Sequence, residues 1–263
     1  MYIDLKLKNK NIVLFGGHSN IGRFATVAFA KAGAQVTIAC RDTKSGELVA
    51  KEALEAGAPR ADVVKCDATS YEETKAVIDF ALKFGDIDCV YHGVSWDMTS
   101  RFEDLPRETW DKIYEVNFKS VMNAWHYTLP IMKKQGHGNF VNVASVMGRE
   151  HAQEEPVYGA MKSALIHLAQ TLALDYGPYG VRLNIIAPGP TPPVDGRFTE
   201  GSPWKEFLGD EETMAIWKTY SPLHQYGHPK DSGWAALYLA SEETGSHLTG
   251  QIIGLDGGWY LPK

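Results

Sequence analysis

Tyr158 and Lys162 stand four residues apart, and Ser145 precedes the tyrosine by thirteen. On a helix, four-residue spacing puts two side chains on one face, one turn apart. An ammonium beside a phenol favours the phenolate and lowers the tyrosine pKa from its ordinary value near ~10. A tyrosine tuned in that way exchanges protons near neutral pH. Ser145 ends a strand-like run, Phe140 to Ala144, where its hydroxyl can hold a substrate oxygen. The three groups suit proton transfer to or from a carbonyl oxygen. A Tyr-x-x-x-Lys pair alone is common on ordinary helix surfaces, so its weight comes from the elements around it.

Asn11 to Phe15 reads as a short apolar strand, followed by Gly16-Gly17-His18-Ser19-Asn20-Ile21-Gly22 and a helical run from Arg23 to Ala32. In a strand, glycine loop and helix, free N–H groups and the helix dipole can receive a pyrophosphate. A second strand, Gln35 to Ala39, runs into Cys40-Arg41-Asp42. An acid at the first of these places would bond an adenosine ribose and favour NAD. Cys40 stands there instead, and the Arg41 guanidinium suits a 2′-phosphate. The cofactor expected is therefore NADP, with NAD served by Asp42 as the alternative. Further strands are expected at Ala61 to Lys65, Asp88 to Tyr91, Val181 to Ile186 and near Thr249 to Gly258. Helices are expected at Thr43 to Ala56, Tyr71 to Phe84, Pro106 to Met132, Pro156 to Tyr176 and Pro229 to Ala240.

On these residues the chain resembles the short-chain dehydrogenase/reductase family over essentially its whole length. The resemblance implies Asn117, Ser145, Tyr158 and Lys162 as catalytic residues. It implies cofactor contacts from Gly16, Ser19, Asn20, Ile21, Arg41, Asp42, Asp67, His92, Gly93, Pro188, Gly189 and Thr191, with Tyr158 and Lys162 at the nicotinamide end. Asp67 would hold the adenine, although a turn or N-cap role also suits an aspartate. The Asn117 main chain would hold a water linking Lys162 to solvent. The Pro188-Gly189 segment and Thr191 would touch the nicotinamide amide.

The chain also departs from the family pattern. Phe15 and Asn20 replace the threonine and middle glycine of Thr-Gly-x-x-x-Gly-x-Gly. Asparagine tolerates a left-handed backbone, so the loop is expected to keep its shape. His92-Gly93-Val94-Ser95 replaces Asn-Asn-Ala-Gly, with His92 read as a polar structural stand-in. Pro193 sits where a phosphate-binding threonine often stands.

The expected fold is a doubly wound α/β Rossmann domain, a seven-stranded parallel sheet with helices on both faces, spanning residues 1–263. Trp96, Asp97 and Met98 are placed near the substrate mouth, bordered by the polar loop Arg149 to Glu155. Residues 190–226 read as a substrate lid, with Phe198, Trp204, Phe207, Leu208, Met214, Trp217 and Tyr220 as its apolar content. A net charge of −6 without a basic cluster argues against nucleic acid or an anionic membrane. No apolar run reaches the ~18 residues of a membrane span. Three cysteines without Cys-x-x-Cys spacing suit reduced thiols in a cytoplasmic protein. No metal site is expected: His224 and His228 are flanked by Gly227 and Pro229, which make a loop.

Two functional classes follow. The first is an oxidoreductase moving a hydride between NADP or NAD and a small-molecule secondary alcohol or ketone, assembled as a homotetramer by family resemblance. The second is a non-catalytic subunit of a hetero-oligomer whose altered loop binds cofactor weakly.

Overall fold

A computed structural model describes residues 4–194, 196, 204, 208 and 210–262. Its centre is a parallel sheet in the order β3-β2-β1-β4-β5-β6-β7. The strands are β1 Asn11–Phe15, β2 Gln35–Cys40, β3 Ala61–Lys65, β4 Cys89–His92, β5 Gly138–Val143, β6 Val181–Pro188 and β7 Ile252–Leu255. Every residue of β1, β4 and β5 is buried, because helices cover both faces of a parallel sheet.

The helices are α1 Asn20–Lys31, α2 Thr43–Ala56, α3 Tyr71–Ala81, α4 Arg107–Tyr114, α5 Ser120–Gln135, α6 Pro156–Tyr176, α7 Glu211–Tyr220 and α8 Pro229–Ala240, followed by a single turn at Glu242–Gly245. On one side of the sheet, α1 packs against α8. On the other, Trp125, Leu129 and Met132 of α5 share a core with Leu165, Ala169 and Ala173 of α6. Pro156 begins α6 where its missing N–H is harmless. His228 caps α8 in a reciprocal pair with Asp231. The strand order reverses between β1 and β4, so the loops leaving both strands open into one crevice.

The long helix expected over Pro106 to Met132 winds from Arg107 to Gln135, with a π-bulge at Glu115–Lys119 between α4 and α5. Asn117 lies inside that bulge, and its amide donates to the Ile113 carbonyl at 2.9 Å and to the Trp96 carbonyl. A side chain that bonds the preceding turn and a neighbouring loop offers the backbone an alternative to regular winding. Within the segment expected to be a lid, Phe198 and Phe207 lie outside the described residues.

Candidate active site

The glycine loop leaves β1 at the strand-order reversal. Gly16 has φ +74, and a Cβ there would lie 3.1 Å from the Val94 nitrogen. A Cβ on Gly22 would come within 2.1 Å of the Gly16 carbonyl oxygen, so only glycine lets the first turn of α1 close on the loop. The resulting cradle of helix N–H groups fits a dinucleotide pyrophosphate. Asn20 has φ +38, the left-handed backbone expected of it. Its amide donates to the Thr191 carbonyl at 3.1 Å. The residue that replaces glycine thus ties the two lips of the groove together.

A cavity of about 1410 Å³ runs from Arg41, past Gly16, to Ser145, Tyr158 and Trp217. At its far end Arg41 is exposed. Asp42 caps α2, its carboxylate accepting the Ser45 N–H at 3.2 Å and the Ser45 hydroxyl at 2.5 Å. Asp67 closes a turn, one oxygen accepting the Thr69 N–H at 3.0 Å and the Thr69 hydroxyl at 2.8 Å. Ser19, Ile21, Gly93, Pro188, Gly189, Thr191 and Pro193 also line this space.

His92 does not line the cavity where a cofactor contact was expected of it. Its ring is 1% exposed, lies beside the Ser120 backbone, and stacks on Phe15 with centroids 5.4 Å apart. Burial, aided by the Lys162 charge, pushes its pKa down to about 3, so it packs as a neutral aromatic ring.

At the other end of the cavity, Ser145 follows β5 and its hydroxyl accepts the Met147 N–H at 3.2 Å. Tyr158 sits in the first turn of α6, with the Lys162 nitrogen 5.2 Å from its ring centroid. Lys162 is fully buried and donates to the Val143 carbonyl at 3.3 Å. Asn117, also fully buried, accepts the Ser95 hydroxyl at 2.7 Å and the Trp96 N–H at 3.3 Å. Ser145 and Tyr158 therefore face the cavity, while Lys162 and Asn117 stand behind its wall.

The electrostatics correct the simplest expectation for the tyrosine. Burial, and then the Glu155 and Asp97 carboxylates, hold the Tyr158 phenol above its ordinary range, while the Ser95 and Ser145 hydroxyls pull it down. Burial moves Lys162 from 10.5 to about 7, and Asp97 opposes that shift. Desolvation of a buried ammonium weakens the charge that was to acidify Tyr158.

Asp97 is raised to about 6 and Glu155 to about 8, in both cases chiefly by burial. Both line the cavity. The sequence put Asp97 beside the mouth and Glu155 in the bordering loop, but no spacing rule singled out either. Ser95 is visible in the sequence as part of the altered motif, but its bond to Asn117 is not, because the partner lies 22 residues away.

A family model described as enoyl-(acyl carrier protein) reductase matches residues 16–260. The 3-oxoacyl-[acyl-carrier-protein] reductase FabG of Thermotoga maritima is 31% identical over 98% of this chain and all of its own. A 7alpha-hydroxysteroid dehydrogenase of Bacteroides fragilis is also 31% identical, over 96% of this chain and 95% of its own. A solved short-chain type dehydrogenase/reductase from Mycobacterium marinum superposes with a TM-score of 0.85 at 27% identity, covering 98% of each chain. The chain belongs to the short-chain dehydrogenase/reductase family and has oxidoreductase chemistry with a nicotinamide cofactor.

Proposed function

We propose that the chain moves a hydride between NADP and a secondary alcohol or ketone, with Tyr158 as acid and base. The observation that carries this reading is the convergence of Ser145 and Tyr158 on one cavity wall, with Lys162 one helical turn behind. The names of two relatives, a 3-oxoacyl reductase and a 7alpha-hydroxysteroid dehydrogenase, concern the same oxo and hydroxyl groups.

The nicotinamide, when bound, supplies or accepts the hydride. Ser145 holds the substrate oxygen so that it faces the Tyr158 hydroxyl. In reduction Tyr158 gives that oxygen its proton, and in oxidation it takes the proton back. Lys162, with its pKa near 7, is matched to replenishing the tyrosine at neutral pH. Asn117 fixes the backbone of the π-turn beside the loop that carries Ser95 and Trp96. Replacing Tyr158 with Phe removes the transferable proton and little volume. Turnover should fall by about 10²-fold or more while cofactor affinity stays near normal. A Tyr158→Phe protein with near-normal kcat would overturn the assignment.

NADP is favoured over NAD because Arg41 and Asp42 are both exposed at the groove end, the guanidinium suits a 2′-phosphate, and both Asp42 carboxylate oxygens already accept from Ser45. Charge-assisted bonds of ~1.5–3 kcal/mol correspond to roughly 10–100-fold in affinity. Arg41→Ala should therefore weaken NADPH by about that factor and NADH far less, read by fluorescence titration. Tighter binding of NADH by the unaltered chain would return the ribose role to Asp42. By family resemblance we further infer a homotetramer working in the cytoplasm.

A further inference from the structure

We propose that Asp97 and Glu155 read the substrate, and that they select a neutral polyhydroxylated ketone or its alcohol, of the sugar or polyol type. The proposal rests on the active-site reading above and specifies which carbonyl compound that site accepts.

The two carboxyls arrive from separate loops that are stitched together. The Ser100 N–H donates to the Glu154 carbonyl at 2.8 Å, and Arg101 pairs with the Glu154 carboxylate at 3.9 Å. Glu154 itself has φ +66, a left-handed turn immediately before Glu155 that is uncommon for any residue but glycine and asparagine. Asp97 and Glu155 both line the cavity that Ser145 and Tyr158 line. Both are close enough that their charges act on the Tyr158 phenol.

Each carboxyl has an oxygen shut off from solvent and without a hydrogen-bond partner, Oδ1 of Asp97 and Oε2 of Glu155. Buried acceptors without donors are unfavourable and rare. A small rotation of either carboxyl would turn its unpartnered oxygen toward the cavity, where a ligand that brings hydroxyl donors would satisfy it. No mechanistic step assigned to Ser145, Tyr158, Lys162 or Asn117 uses either carboxyl.

Charge narrows the class. Glu155, with its pKa near 8, is largely protonated at neutral pH, and Asp97 carries the negative charge of the pair. That charge already faces Lys162. A cationic ligand would find no surplus anion to repay its desolvation, and a carboxylate ligand would meet Asp97. One protonated and one ionised carboxyl together offer a donor and acceptors, which matches hydroxyl groups that both give and take hydrogen bonds.

Aromatic rings in the cavity lining add shape. Tyr220 and Trp259 lie 4.7 Å apart at 30°, and with Trp217 they line the same cavity. Flat aromatic faces suit the C–H face of a saturated ring whose edge presents hydroxyls to the carboxyls.

The test measures kcat/KM of the purified chain with NADPH on four ketones. These are a cyclic polyhydroxylated ketone, cyclohexanone, a cyclic amino ketone and a 2-keto acid. The polyhydroxylated ketone should lead, and Asp97→Asn and Glu155→Gln should each lower its advantage over cyclohexanone by about tenfold. For Glu155→Gln the loss should fall mainly on KM. These near-isosteric changes keep side-chain volume, and the ranking by the unaltered protein is an independent reading if either variant fails to fold. A lead for cyclohexanone, the amino ketone or the keto acid overturns the substrate class while leaving the hydride-transfer reading intact. An advantage that survives both substitutions overturns the role of the carboxyls. Absence of turnover with all four, despite NADPH binding, counts against the catalytic reading itself and removes this inference with it.

Discussion

Glu155 shows how burial reshapes a residue that looks ordinary in sequence. In the folded chain its carboxyl is raised from 4.5 to about 8, chiefly by desolvation. The folded state therefore holds the proton more tightly than the unfolded state. The stability that Glu155 contributes is full below about pH 4.5 and is lost as pH rises through about 8. Asp97 acts in the same direction between 3.8 and about 6. Lys162 acts oppositely, since lowering an ammonium from 10.5 to about 7 makes the fold gain stability as pH rises across that window. Asp97 and Lys162 are present in both proteins when Glu155→Gln is compared with the unaltered chain. The melting temperature of Glu155→Gln relative to the unaltered chain should thus rise by a few degrees between pH 5 and pH 9, as differential scanning fluorimetry would record. A difference that stays constant with pH would place the carboxyl in a water-like setting. Tyr158, Lys162 and Ser145 were legible because spacing along a helix and a strand end fixes their relation. The shifted pKa values were not, since they depend on what covers each group, and no local spacing reports that.

Element scale explains the departures in the family's own motifs. Phe15 and His92 are direct neighbours in the parallel β1–β4 pair. Their rings stack at 24°, and both are nearly inaccessible. Two substitutions read separately from sequence as a loop change and a polar stand-in are one aromatic contact across the strand-order reversal. Coupling follows from contact: Phe15→Thr and His92→Asn should each destabilise the fold. The double variant should be less destabilised than the sum by about 0.5–1.5 kcal/mol, measured by urea unfolding. Additive effects would show that the rings do not support one another. Strands and most helices were readable from apolar runs and from Pro and Gly signals. The π-bulge between α4 and α5 was not, because it forms where Asn117 reaches the Trp96 carbonyl, a tertiary contact.

On the scale of the whole molecule, apolar surface left outside the core offers a face on which the homotetramer inferred from family resemblance can be tested. One face of α8 buries Ala236, Leu237 and Ala240. On its outer side Trp234 is 55% exposed and Tyr238, one turn on, 45% exposed. Leu174, near the end of α6, is 79% exposed. Single exposed apolar residues are ordinary, but a Trp–Tyr pair on one helix face is the kind of area that a partner covers. Parallel strand order and the position of the crevice followed from alternating strands and helices in the sequence. The outer faces could not be read that way, because a helix pattern shows which residues are apolar and not which neighbour buries them. If copies of the chain meet through α8, a charge at its centre should be excluded from the interface. Trp234→Glu should then shift the purified protein from a tetramer to smaller species in light scattering after size exclusion. Its melting temperature at low concentration should change little, since the side chain is more than half exposed. A tetramer unaffected by this substitution would move the interface to another face, and a monomer before any substitution would remove the assembly inference.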